Sequence, residues 1–573
     1  MSTTIHVAKR CHSFFKVRRR SLTHLSICLM LLGSNCSIQA HKVDSLAPRV
    51  VGIPPSDAYI GLSILPNGEV RHYNYGEQAE AGSFYLSSKD GGHTWKKINI
   101  SKDIPYADVQ SPLSGEFVRM IGVGGMGTYV VRTNGGLNGG RTITKISDTL
   151  AIMCKPPVFL KKSGRVVVGA HYGLQAHLPK VCFTYVSTDD GKTWQRSSYV
   201  STPDHTGGGI HQGKRWNHGA AEPSIIELND GRLWMLIRTS QDCYYQSFSN
   251  DGGLTWQEAT PSPFYGTITM PTLARLSDGC LLFVGSMSTP LPEVGNTNGV
   301  WEDVFTNRTV IHTAISDDDG KTWQGFRELY LDDRRNAADF ASQAGMDKGL
   351  HQSQVVEVAP GKLLFSVGQH HLHRKLLLMD KQWLYAKDRK WTPSDSLDKW
   401  STFSYLKGIK GHCGYNRLPG CTLTHEGIEI KRLTNDNVLS PQAGGVWNFP
   451  ALRKGKLKIS VRLKRGNDNG KLILNDRWFN PSDSTAALFA PYYVTLNRKT
   501  LKISDDAFHI IEIKWNIDCK DKKAKVFVDG KLRQRLHLNN DSAHGLFYLH
   551  LLSSTSPTDT GFVVGSVEAN ETE

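Results

Sequence analysis

From Tyr59 onward the chain alternates short apolar runs with glycine-centred turns, a rhythm of strands. Tyr59–Tyr75 around Gly68, Val158–His171 around Gly164 and Ile225–Arg238 around Gly231 each read as strand, turn, strand. Leu273–Ser286 around Gly279 and Val355–Gln369 around Gly361 repeat the pattern, and Phe117–Val131 reads as a weaker copy. Six hairpins are therefore expected.

An eight-residue pattern, Ser-x-Asp-x-Gly-x-Thr-Trp, recurs between them at Ser88–Trp95, Ser187–Trp194, Ser249–Trp256 and Ser316–Trp323, with a degenerate relative at Thr133–Thr142. The Asp carboxylate can accept backbone N–H groups inside a tight turn, Gly permits a positive φ there, and Trp buries its ring against the neighbouring sheet. A hairpin followed by a second, pattern-bearing hairpin makes a four-stranded sheet, and six such sheets can close into a ring. These residues resemble the Asp-box (BNR) repeats of the sialidase superfamily. The resemblance covers about residues 50–395 and implies a six-bladed β-propeller in which the boxes are structural.

After Trp391 the pattern changes. A linker is expected around residues 394–404, then strands at Gly444–Pro450, Leu457–Leu463 and Ile510–Trp515, and a hairpin at Lys525–Val528 turning on Asp529-Gly530. The runs Ile-Glu-Ile-Lys-Trp-Asn and Lys-Val-Phe-Val-Asp-Gly-Lys resemble concanavalin-like or laminin-G-like sandwiches, over about residues 405–570. The expected fold is all-β: a six-bladed β-propeller at 41–395 followed by a β-sandwich of jelly-roll type at 396–573. Glycan binding and simple bracing of the propeller are equal expectations for the sandwich.

Residues 1–40 carry six basic residues and no acidic ones, then an apolar run from Leu25 to Leu32 and a small residue, Ala40, at a possible cut. This is the form of a secretion signal, and the apolar run is too short to span a bilayer. A secreted or periplasmic protein without stable membrane insertion is expected; Asn35 argues against a lipid anchor at Cys36. The formal charge of +15 falls to +9 without those six residues, a surplus that suits an anionic carbohydrate and equally an ordinary surface. No nucleic-acid-binding motif is present, so that partner is not expected. Seven cysteines follow residue 40, an odd number; Cys413 and Cys421 bracket a short loop and could pair. No cysteine pair has zinc-ligand spacing, and no metal or cofactor is expected, with structural calcium left open.

Meander topology locates a candidate site. The glycine turns and the boxes share one face, so starts of first strands and ends of second strands gather on the other. Nine before and seven after each turn glycine stand Tyr59 with Tyr75, Lys155 with His171, Glu222 with Arg238, Met270 with Ser286, and Gln352 with Gly368; His351 and Gln369 flank the last pair. The loop from His211 to His218, with Arg215 and Trp216, adds donors and a stacking ring. Glu222 and Arg238 resemble, in spacing, the sialidase Glu that polarises the nucleophile and an Arg of the carboxylate-binding triad. An Arg fork holds a carboxylate bidentately, and Glu can act as base or orient the Arg.

The departures bear on the reaction. Where the resemblance implies an Arg-Ile-Pro start, the chain reads Ala58-Tyr59-Ile60-Gly61, and His351 or Gln352 stands where a nucleophilic Tyr is implied. Glu77 and Glu80 occupy the loop where an acidic proton donor is implied. The expected function is a sialidase-like glycoside hydrolase acting on an oligo- or polysaccharide, with Glu77 or Glu80 opposite Glu222 as a carboxylate pair. One alternative is a polysaccharide lyase using His171 or His351 with Tyr75 beside a uronate neutralised by Lys155 or Arg238. The other is a non-catalytic glycan-binding protein.

Overall fold

The computed structural model describes residues 45–573 except 76–83, 100–107, 134–139, 174–177, 208–212, 291–307, 333, 339–348, 370–372, 408–416 and 468. The expected secretion signal, Glu77, Glu80, His211, Cys413 and the middle of the degenerate box lie outside the described residues.

Six four-stranded antiparallel sheets form the first part of the fold. Blade 1 holds Leu62–Ile64, Val70–Tyr73, Phe84–Ser88 and Lys96–Asn99; blade 2 holds Val109–Gln110, Phe117–Val123, Gly127–Thr133 and Arg141–Ser147. Blade 3 holds Val158–Phe159, Val166–Tyr172, Val181–Ser187 and Gln195–Arg196, and blade 4 holds Ala221–Glu227, Leu233–Arg238, Cys243–Ser249 and Thr260–Tyr265. Blade 5 comprises Thr272–Arg275, Leu281–Gly285, Val310–Ser316 and Gln324–Leu331. Blade 6 takes Ser353–Ala359, Lys362–Val367 and Lys375–Asp380, and its outer strand is Arg49–Gly52 from the other end of the domain. That exchange closes the ring and leaves no blade short of a strand.

Five of the expected hairpins are first and second strands. The weaker one, at 117–131, is a second and third strand: Val118 pairs with Arg132, while the first turn is the Ser111–Gly115 loop upstream. The apolar signal lay on the wrong pair because the first strand, Val109–Gln110, runs into Ser111 and carries no apolar run, unlike the equally short Val158–Phe159 of blade 3, which continues into Leu160.

Each of the four complete boxes is a small hydrogen-bonded unit. In the blade 3 copy, Asp189 Oδ1 accepts from Ser187 Oγ at 2.8 Å and from the Thr193 N–H at 2.8 Å, and Oδ2 accepts from Thr193 Oγ1 at 2.6 Å. Gly191, at φ +80°, donates its N–H to Ser187 Oγ, and the Trp194 indole donates to Gly191 O at 3.0 Å. Those contacts outweigh the effect of burial and hold the Asp189 carboxyl down at about 2.

The second part is a two-layer sandwich. One sheet runs Thr422–Thr424, Gly427–Ile430, Phe562–Glu571, Lys454–Leu463, Phe508–Asn516, Ala524–Val528 and Lys531–Leu536, and Asp388–Trp391 also pairs with Phe562–Glu571. The other runs Trp400–Ser401, Gly444–Leu452, Leu546–Leu552, Lys471–Asn475 and Tyr492–Thr495. Trp400, Trp447, Ile459, Ile513 and Leu549 are among the side chains buried between them.

No free linker joins the two parts. The strand at Asp388–Trp391 already belongs to the sandwich sheet, ahead of the expected boundary at 395, and Trp400 is fully buried. One apolar core continues across the junction, packing Phe264, Phe283, Trp323 and Phe326 of the propeller against Trp478, Phe547 and Tyr548. Within it, His312 bonds Tyr548, whose hydroxyl donates to Glu328 at 2.7 Å. Cys421 is a free thiol that donates to Gly444 O rather than the disulfide partner considered for it.

Candidate functional site

The face opposite the boxes collects the charged strand ends. Glu222 is the second residue of the first strand of blade 4 and departs from strand geometry. Its φ is +45°, and a register shift falls between Ala221 and Ser224. A non-glycine residue in that region, followed by Pro223, is a strained conformation on the order of 1–3 kcal/mol. His171 of blade 3 holds it there: its Nδ1 accepts the Glu222 N–H at 3.2 Å. Arg238, at the end of the second strand, donates Nη1 to Glu222 Oε2 at 2.6 Å.

Burial raises the Glu222 carboxyl, but the charges of Arg238 and its other cationic neighbours outweigh that and hold it below the ordinary carboxylate range. Arg238 is drawn down by burial and by repulsion from Arg308 despite Glu222. Arg308 is buried and donates to Ile268 O at 2.5 Å. His171 is held neutral by burial, pushed down to about 4, and burial takes His218 well below its ordinary value, with Arg238, Lys180 and Arg308 adding to it. One carboxylate thus stands among several cations. An anionic ligand fits this charge balance.

The other expected residues take varied positions. Lys155 does not face His171, which instead pairs with Ile152. It reaches across the axis to Thr272 Oγ1 at 2.6 Å and Ser353 O at 2.7 Å, beside a hollow of about 120 Å³ lined also by Gly169, Ser224 and Gln354. Burial lowers its amine to about 8. His351 accepts the Met270 N–H on Nδ1 at 3.2 Å, so Nε2 carries the proton and donates to Gln369 Oε1 at 2.8 Å. That fixed tautomer makes His351 a support for the strand end rather than a base. Tyr75 stacks on Tyr73, and the Arg119 guanidinium lies 3.7 Å from its ring centroid. Arg215 turns inward to Ser240 O and Asp242, anchoring its loop, while His218 packs edge-on to Trp216.

Several site residues escape the two-column reading. Lys180, Asp242, Arg308 and Arg374 all stand just before third strands, which also start on this face. Asp57 and Asp108 precede first strands; Arg374 pairs with Asp57 at 2.5 Å. Burial raises the Asp108 carboxyl against the opposing pull of Arg119. A third column would have found the four, and the first strand of blade 2, which carries no apolar run, concealed Asp108. Among the described residues, no group of three or more His, Cys, Asp or Glu could hold a metal, and no helix is long and apolar enough to cross a membrane.

Residues 142–390 match the family described as BNR repeat-like domain. An anhydrosialidase of Macrobdella decora is 30% identical over 148 residues, covering 25% of this chain and 17% of that protein, so the match spans less than a fifth of that relative's length. Among solved structures, a Trypanosoma rangeli sialidase is similar at 12% identity and a TM-score of 0.31, covering 90% of this chain and 92% of that one. A protein of unknown function from Dyadobacter fermentans DSM 18053 is similar at 16% identity and a TM-score of 0.39, over 58% of this chain and 98% of that one.

Proposed function

Because the chain belongs to the sialidase/BNR-repeat superfamily, we propose that it is an exported glycoside hydrolase that removes an acidic sugar from a glycan. The observation that carries this is the strained, ionised Glu222 set against Arg238 beside the guanidinium of Arg308. The two guanidiniums receive the sugar carboxylate. Arg238 then shares its hydrogen bonds between substrate and Glu222, which takes a proton from the attacking water. A carboxylate held below its ordinary range suits a base and not an acid.

The acid comes from the blade 1 and 2 side. Asp108 is its described candidate, since burial keeps its carboxyl protonated to higher pH while Glu222 is kept ionised. Two carboxyls driven in opposite directions divide the two roles between them. His351, held on both ring nitrogens, speaks against its own role as base in the lyase alternative, which leaves His171, whose Nδ1 accepts the Glu222 N–H, as that reading's other base.

A digest of an acidic-glycan library tests the proposal. A free acidic sugar from wild type, absent with Glu222→Gln, is the expected result. An unsaturated product absorbing in the near ultraviolet would replace hydrolysis by elimination, and binding without turnover, unchanged by Glu222→Gln, would remove catalysis altogether.

A further inference from the structure

The outer face of the larger sandwich sheet carries a row of like charges that folding alone disfavours. On four adjacent strands, Lys456 stands opposite Lys514, Lys514 opposite Lys525, and Lys525 opposite Arg535. Their neighbours in sequence, including Leu457, Ile513 and Val526, point into the core, so all four cations face outward. Like charges directly opposite each other destabilise a sheet. Only Lys514 has a carboxylate, Glu512 at 2.8 Å; the other three make no ion pair among the described residues.

Protection of a sheet edge does not explain the row. Edge strands commonly carry Lys or Arg to block pairing with other chains. Here only Arg535 lies on the edge strand, and the other three cations are on interior strands. Beside the row runs a second feature, four apolar side chains on the same face: Phe508, Ile510, Phe527 and Leu532. Phe508, Ile510 and Leu532 are each more than 40% exposed.

We propose that this face binds a linear anionic polysaccharide, the cations pairing with successive acidic groups and the apolar strip lying under sugar rings. Adjacent strands lie about 4.8 Å apart, so the four cations form a row about 14 Å long across the strands. One pyranose of a linear chain advances by close to one strand spacing, which sets one acidic group against each cation. Nothing in this assignment depends on the chemistry of the axial hollow.

The test is binding of the full-length protein to polygalacturonate and to heparin, with dextran as the neutral control, across a salt series. The triple variant Lys456→Gln, Lys525→Gln, Arg535→Gln should weaken binding at least about tenfold and flatten its salt dependence. A matched triple on the box face of the propeller, Lys96→Gln, Lys192→Gln, Lys321→Gln, removes the same charge and should bind as wild type. Preference between the two polymers distinguishes carboxylate from sulfate. Equal loss in both triples would reduce the row to net charge. Tighter binding to single-stranded DNA or to phosphatidylglycerol vesicles, or no binding to either polysaccharide, would overturn the assignment.

Discussion

The two faces of the propeller use the same kinds of polar side chain for opposite ends. On the box face, Asp189 is satisfied by Ser187 and Thr193, all within seven residues, and the unit occurs four times with near-identical distances. On the other face, Glu222 depends on His171 from one blade and Arg238 from another strand, with Arg308 acting from a third blade. Both carboxylates are held ionised. The first needs only its own turn and can be copied around the ring. The second needs the ring itself, and it stands on a strained backbone. Repetition therefore marks scaffold, and the break in repetition marks the place where charge is gathered for a ligand.

The largest expected break in this contrast is Glu222→Gln, which should lower kcat by about 10²–10⁴-fold while circular dichroism stays unchanged; Asp189→Asn should leave kcat alone. Equal kinetic losses would mean that the two faces do not divide labour in this way. Trp323→Ala should cost about 3–5 kcal/mol in denaturant unfolding, because this box Trp is buried in the core shared with the sandwich. The more exposed Trp95 should cost less on the same assay. Arg308→Ala should reduce kcat/KM by about 10–100-fold through loss of a charged hydrogen bond to substrate, and a neutral analogue of the substrate should show no such loss.

The smallest effect is a separation in pH. His171 and His72 are held down to about 4 by burial, below the ordinary 6.5, so between those values the unfolded chain binds more protons than the folded one. Stability is full above pH 6.5 and falls as pH drops toward 4. Asp189, held at about 2 against an ordinary 3.8, contributes stability above pH 3.8 that is lost as pH falls toward 2. Tm measured against pH should decline first in the histidine window and again in the carboxylate window. His171→Gln should flatten only the first.

Much of the scaffold was legible because its signals are local. Box, turn glycine and alternating strand each need only neighbours along the chain, so five hairpins and four boxes fall where the residues put them. Blade 2 failed because its first strand, Val109-Gln110 followed by Ser111, carries no apolar run to read, whereas the equally short strand of blade 3 reads Val158-Phe159-Leu160. Glu222 and Arg238 were legible as a pair because one hairpin carries both. Arg308, 70 positions beyond Arg238 and just before a third strand, was not.

Sequence alone determined the repeating unit and hence the ring, since the Ser, Asp, Gly and Thr contacts that define a box all lie within eight residues. It also determined which face would collect the strand ends. Only tertiary structure decided that Lys155 crosses the axis, that His351 is locked as one tautomer, and that four cations line up across the sandwich sheet. Each of those depends on register between strands far apart in the chain, and a shift of one residue turns a side chain from one side of its sheet to the other.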